Sequence, residues 1–66
     1  MNKLYGFYHH NGGEFWPYVA SALDWPTAYA IAKFLLEYEP KYEKVAIKTD
    51  TDGIDYVTRN TEPTSN

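Results

Sequence analysis

The chain contains no cysteine, so neither a disulfide bond nor a thiolate metal site is available to stabilise it. It also has no stretch approaching the roughly 20 apolar residues of a membrane-spanning helix. Its start, MNKLYGFYHH, lacks the uninterrupted apolar segment of a secretory signal. These absences predict a cytoplasmic protein that binds no membrane. Its stability then has to come from the packing of side chains.

Basic residues are few. The chain has six Lys and Arg against nine Asp and Glu, which gives a formal net charge of −3. Binding to the phosphates of a nucleic acid requires clustered Lys and Arg, whereas the six basic residues are scattered along the sequence. The composition therefore argues against direct nucleic-acid binding.

Catalytic and metal-binding motifs are missing as well. No nucleophile stands beside a recognisable base, and there is no glycine-rich phosphate loop. His9 and His10 are adjacent, and consecutive strand residues point to opposite faces of a sheet, so they cannot both ligate one metal ion. The run Asp50-Thr51-Asp52-Gly53 lacks the distal Glu of a calcium loop. We predict no catalytic residue, no metal and no cofactor, and hence a protein that is not an enzyme.

Aromatic side chains are abundant, with seven Tyr, three Phe and two Trp among 66 residues. Residues 3–9 and 14–20 alternate around Asn11-Gly12, a strong signal for a two-residue hairpin turn. Pro17 cannot donate to a neighbouring strand, which predicts that the second strand lies at an edge of the sheet. The turn sets the pairs Tyr8 with Phe15, Gly6 with Pro17 and Leu4 with Val19 on one face of the hairpin. On the other face it sets the pairs Phe7 with Trp16, Tyr5 with Tyr18 and His9 with Glu14.

The middle of the chain predicts a helix. It should begin near Asp24, a good N-cap, with Pro26 in the first turn, and it should end before Pro40. One stripe of the helix should face the sheet and consists of Ala28, Ile31, Ala32 and Leu35, widened by Phe34 and Tyr38. The opposite side consists of Tyr29, Lys33, Leu36 and Glu37.

A second hairpin is predicted from about Lys44 to Arg59. Its loop is Thr51-Asp52-Gly53, with the glycine in the left-handed position of a three-residue loop. This register pairs Asp50 with Ile54 and Ile47 with Val57, and it points Val45, Ile47 and Val57 at the helix. A two-residue register remains an alternative, in which Tyr56 turns inward and Val57 outward.

Together these segments predict an α+β fold of the order ββαββ, a four-stranded antiparallel-type sheet with one helix packed on one face. A single domain should span residues 1–59, followed by a flexible polar tail over residues 60–66.

One helix covers only one face of such a sheet. If Leu4, Tyr8, Phe15 and Val19 meet the helix, an aromatic ladder faces outward, and an exposed patch of this kind is an interaction site. Two other interpretations leave no exposed patch, because the ladder could face the helix or be buried by a second copy of the chain. Exposed sheet aromatics also stack on bases in RNA-binding proteins, but the basic residues that accompany such a surface are too few here. The ladder is made of Tyr5, Phe7, Trp16 and Tyr18, with Tyr56 nearby.

The segments SALDWPTAYAIAKFLLEYEP (21–40) and YEKVAIKTDTDG (42–53), with the last strand, give an element order over residues 3–59 that resembles small proteins of bacteriophages and mobile elements, including proteins of the anti-CRISPR or anti-defence type. This resemblance implies a stoichiometric binder that blocks a host protein by occupying its surface, in the host cell cytoplasm.

The sequence therefore favours a phage-type protein-binding module, an inhibitor of a host bacterial defence protein such as a CRISPR-Cas complex. Two alternatives stay open. One is an oligomeric binder or sponge for a small ligand such as a nucleotide, and the other is a structural homodimer. The predicted partner-binding residues are Tyr5, Phe7, Trp16, Tyr18, Lys44, Lys48 and Tyr56.

Overall fold

A computed structural model describes residues 1–51 and 53–60 of the chain. Its elements, in order, are β1 (Asn2–His10), β2 (Gly13–Phe15), β3 (Tyr18–Ala22), α1 (Trp25–Tyr38), β4 (Lys44–Lys48) and β5 (Ile54–Thr58). β2 and β3 both pair with one side of β1, β4 pairs with its other side, and β5 pairs with β4. The α+β prediction is confirmed, but the described part of the chain has five strands in the order βββαββ, and the predicted four-stranded ββαββ arrangement is wrong.

The first hairpin closes as predicted. Asn11 and Gly12 have φ angles of 52° and 79°, and positive φ at both central residues is the requirement of a type I′ turn. Tyr8 lies opposite Phe15, which is the predicted register.

The predicted second strand, residues 14–20, is divided at Trp16 and Pro17 into β2 and β3. Pro17 has no N–H to donate, but its carbonyl accepts a hydrogen bond of 3.0 Å from the Gly6 N–H. The interrupted chain therefore stays along the edge of β1. This break is the reason that five strands replace the predicted four.

A β-bulge follows the break. Tyr5 lies opposite Tyr18 as predicted, but Leu4 lies opposite Ala20 rather than opposite Val19. β3 thus contains one residue more than the facing part of β1.

The helix ends are those that the sequence predicts. The Asp24 carboxylate accepts a hydrogen bond of 2.9 Å from the Thr27 N–H, and Pro26 lies in the first turn, where a missing N–H leaves no gap in the hydrogen bonding. The last helical residue is Tyr38, two positions before Pro40.

The predicted orientation of the helix about its axis needs correction. Leu36, which was predicted on the outer side, is only 1% exposed, whereas Phe34 is 60% exposed and its ring stacks on the Tyr38 ring at 5.5 Å. The innermost line is Ala28, Ala32 and Leu36, at i, i+4 and i+8. Because two of these three side chains are methyl groups, this line lets the helix lie close to the sheet.

The hydrophobic core lies between α1 and the face of the sheet that it covers. Its members are Leu4, Ala22, Ala28, Ala32, Leu36, Tyr42, Val45, Ile47 and Val57. Gly6 faces the Tyr42 ring, and a Cβ at this position would lie 2.7 Å from two of the ring carbons. The Tyr42 ring therefore occupies the space that a side chain at Gly6 would need.

The register of the second hairpin differs from the prediction by two residues. Val45 lies opposite Val57, and Lys48 lies opposite Ile54. Gly53 does not have the predicted positive φ; its carbonyl accepts a hydrogen bond of 2.9 Å from the Thr49 N–H. Because a shift of two residues preserves the alternation of side chains, Val45 and Val57 still point toward the helix as predicted.

Of the predicted polar tail, residues 61–66 lie outside the described residues. Within the described part of the chain, no helix has the length and apolar character needed to cross a bilayer.

The helix orientation predicts that two substitutions on the helix change the free energy of unfolding by very different amounts. Leu36→Ala should lower the free energy of unfolding by about 2–5 kcal/mol, because it removes a buried side chain and leaves a cavity. Phe34→Ala, the matched control, should change it by less than about 0.5 kcal/mol. Urea denaturation followed by circular dichroism measures both values, and a larger loss for Phe34→Ala would contradict this orientation.

Candidate functional site

The face of the sheet opposite α1 carries aromatic and lysine side chains, and we call it the open face. The strands place alternate residues there because successive side chains point to opposite faces. Four of its large hydrophobic side chains are exposed, from 39% for Trp16 to 57% for Tyr18. Its members are Lys3, Tyr5, Phe7, Trp16, Tyr18, Lys44, Ala46, Lys48, Ile54 and Tyr56.

One row of paired residues crosses the middle of the open face. Tyr18 lies opposite Tyr5, which lies opposite Ala46, which lies opposite Tyr56. The rings of Tyr5 and Tyr18 are 5.6 Å apart. Tyr5 and Tyr56 are two strands apart, a backbone separation of about 10 Å, and the side chain between them is a methyl group. The row therefore has a gap over Ala46, although the neighbouring side chains narrow it enough to leave Ala46 only 7% exposed.

Trp16 lies across the sheet surface. Its ring centroid is 4.4 Å from that of Phe7 and 6.2 Å from that of Tyr56, which is on a strand not adjacent to β1. The break at Trp16 and Pro17 frees this side chain from the strand ladder. As a result Phe7 is only 5% exposed although no helix covers it. Phe7 supports Trp16 from below, and Trp16 presents the accessible surface.

Lys44 lies among three of these rings. Its Nζ is 5.0 Å from the centroids of Phe7 and Tyr56 and 5.8 Å from that of Trp16. A lysine ammonium within about 6 Å of an aromatic ring centroid is attracted by the electrons of the ring. Lys44 thus links Trp16 to Tyr56 and places a positive charge beside the gap over Ala46.

Two adjoining depressions lie on the open face. The first, of about 270 Å³, lies over Ala46 and is lined by Tyr5, Trp16, Ala46, Lys48, Ile54 and Tyr56. The second, of about 240 Å³, is lined by Met1, Lys3, Tyr5, Lys48, Thr49 and Asp50. Tyr5 and Lys48 border both, so an apolar depression and a depression lined by two lysines lie side by side.

His9 lies at the other end of the open face. Its Nδ1 is 2.7 Å from Glu43 Oε2, its Nε2 is 3.7 Å from Glu14 Oε2, and its ring meets the Phe7 ring edge-on at 4.9 Å. The hydrogen bond to Glu43 raises the pKa of His9 above the ordinary value of 6.5, with a smaller contribution from Glu14 and some opposition from desolvation. This end of the face therefore contains a histidine held between two carboxylates.

The structure brings the seven residues predicted as partner-binding onto one surface, and their role in binding stays a prediction. Sequence reasoning missed Lys3, Ala46 and Ile54, although each alternates in step with a predicted residue on its own strand. The alternation of strand residues places each of them on this face, but a methyl group and single charged or aliphatic residues do not by themselves indicate a binding site.

Comparisons of the chain with protein-family profiles, with characterised proteins and with solved structures give no match. Within residues 1–51 and 53–60, no three His, Asp or Glu side chains are grouped so that they could hold a metal ion. The proposals for this chain therefore depend on the geometry of the open face.

The pKa of His9 provides a test of this end of the site. Because the folded state raises that pKa, the stabilisation by the imidazolium is complete below the pKa of the unfolded chain and is lost as pH rises through the higher folded value. Glu43→Gln should shift the His9 pKa downward toward 6.5, whereas Glu37→Gln on the helix should leave it unchanged. An NMR titration of the imidazole protons measures the shift, and an unchanged pKa in Glu43→Gln would refute the assigned cause.

Proposed function

We propose that this chain is a stoichiometric protein-binding module that docks its open face on an acidic surface of another protein. The observation that carries the proposal is the exposure of Trp16, Tyr18, Ile54 and Tyr56 together on the uncovered face of the sheet. Contiguous apolar patches on a soluble monomer are typical of interaction sites. Trp and Tyr are also the residues most enriched among those that dominate binding energy.

The architecture of the open face favours a rigid contact. The Tyr18 ring packs on Tyr5, and Trp16 is held by Phe7 and Tyr56. Aromatic side chains that are already ordered lose little conformational freedom on binding, which leaves more of the contact energy for affinity. The face is thus built from anchors that need not rearrange.

The lysines indicate an acidic partner. Lys3, Lys44 and Lys48 are half of the six basic residues of the chain, and all three lie on the open face. At the two ends of the face, Glu14 and Glu43 lie against His9 and Asp50 pairs with the N-terminal ammonium. A complementary charge on the partner would speed association and select the partner.

The helix and the two strands that follow it keep the layout on which the resemblance to phage proteins of the anti-defence type rests. On this basis the proposed target is a bacterial defence complex, such as a CRISPR-Cas complex. Inhibition would follow from occupation of the target surface and requires no catalysis by this chain.

Affinity capture with variants tests the proposal. The tagged chain should recover one defence complex from bacteria that express such systems, identified by mass spectrometry and reconstituted from purified components. Tyr18→Ala and Tyr56→Ala should each weaken the reconstituted binding about tenfold or more, as expected for exposed anchors. Tyr38→Ala, an exposed tyrosine on the helix, is the control and should bind normally. Unaltered binding by both sheet variants, or loss of binding by Tyr38→Ala alone, would refute the proposal.

A further inference from the structure

We infer that the open face recognises one aromatic side chain of its partner, seated over Ala46, beside a carboxylate of the same partner segment held by Lys48 and Lys3. The inference deepens the proposed function and rests on it, because it specifies the chemistry of the partner. The partner segment is therefore acidic and contains an aromatic residue.

The size and position of the first depression suit a single ring. The depression over Ala46 measures about 270 Å³ and is open to solvent on its outer side, so it has room for one ring without enclosing it. Its two sides are the rings of Tyr5 and Tyr56, and Trp16 closes one end. Aromatic rings prefer offset-stacked or edge-to-face contacts with other rings, and this arrangement of side chains allows both.

The second depression suits the carboxylate. Lys3 and Lys48 are neighbours across β1 and β4, and both line it. The Asp50 carboxylate, which also lines this depression, pairs with the N-terminal ammonium. Because Lys48 and Tyr5 border both depressions, the ring and the carboxylate would belong to adjacent parts of one segment.

A nucleotide shares the combination of a ring and an anion, but the geometry favours a protein segment. Sites for free small ligands typically enclose about 300–1,000 Å³ and bury most of the ligand. Both depressions lie on the surface of a sheet and are open to solvent, so they would leave much of a nucleotide exposed. A ring in the depression over Ala46 remains exposed to solvent on one side. A protein partner would cover that side of the ring and also the exposed Trp16 and Tyr18.

The test uses peptides and a variant that fills the depression. The ¹⁵N-labelled chain is titrated with acetyl-Asp-Glu-Phe-Glu-Asp-amide, with the same peptide carrying Ala in place of Phe, and with uridine monophosphate, and the amide shifts of Tyr5, Ala46 and Lys48 are followed. Ala46→Leu fills the depression without altering the aromatic residues or the charge. Lys48→Glu reverses a charge at the site, and Lys41→Glu is the matched control away from it.

The Phe peptide should shift these amides in a saturable manner, and the Ala peptide should not. Ala46→Leu and Lys48→Glu should each weaken binding of the Phe peptide about tenfold or more, as for a central anchor and a charge contact that is buried in the complex. Lys41→Glu should bind the peptide as the unmodified chain does. No binding of the Phe peptide, equal binding of the Ala peptide, unaltered binding by a folded Ala46→Leu, or tighter binding of uridine monophosphate would each overturn the inference. If Ala46→Leu unfolds, unaltered binding by Lys48→Glu overturns it.

The outcome is separable from that of the proposed function. If Tyr18→Ala prevents capture of the partner but Ala46→Leu does not, the open face is the docking surface and the depression is not the anchor site. If capture survives both substitutions, the proposed function itself fails.

Discussion

The structure depends on the fact that one helix of 14 residues covers only one face of its sheet. That face receives the aliphatic core, centred on Leu4, Val45, Ile47 and Val57. Within residues 1–51 and 53–60 this is the one helix, and no second layer covers the opposite face. The aromatic residues of the open face are therefore both its partial cover and its accessible surface.

Trp16 shows how these two roles combine. The break at Pro17 releases it from the ladder, and its ring then shields Phe7 and borders the depression over Ala46. Since it supports the sheet and shapes the site, substitution at Trp16 would change stability and binding together. Tyr18 and Tyr56 are more exposed, so binding effects at these two positions are easier to separate from stability.

Local signals predicted much of the fold, and packing determined what they missed. The turn at Asn11-Gly12 and the Asp24 cap depend on a few adjacent residues, and both are as predicted. The orientation of the helix depends on contacts between distant segments and needed correction. The register of the second hairpin also needed correction, because hydrogen bonds between Thr49 and Gly53 close its loop. A register error of two residues leaves every strand side chain on the same face of the sheet, which is why the predicted site residues still share one face.

Charge illustrates the same distinction between sequence and fold. The net charge of −3 describes the chain as a whole, whereas a partner meets the charges of one surface. Pairing of β1 with β4 places Lys3 beside Lys48, although 44 residues lie between them in sequence. Glu14 and Glu43 lie against His9, and Asp50 pairs with the N-terminal ammonium. A chain of negative net charge can therefore place three lysines on one aromatic surface, so the net charge alone does not argue against an acidic protein partner.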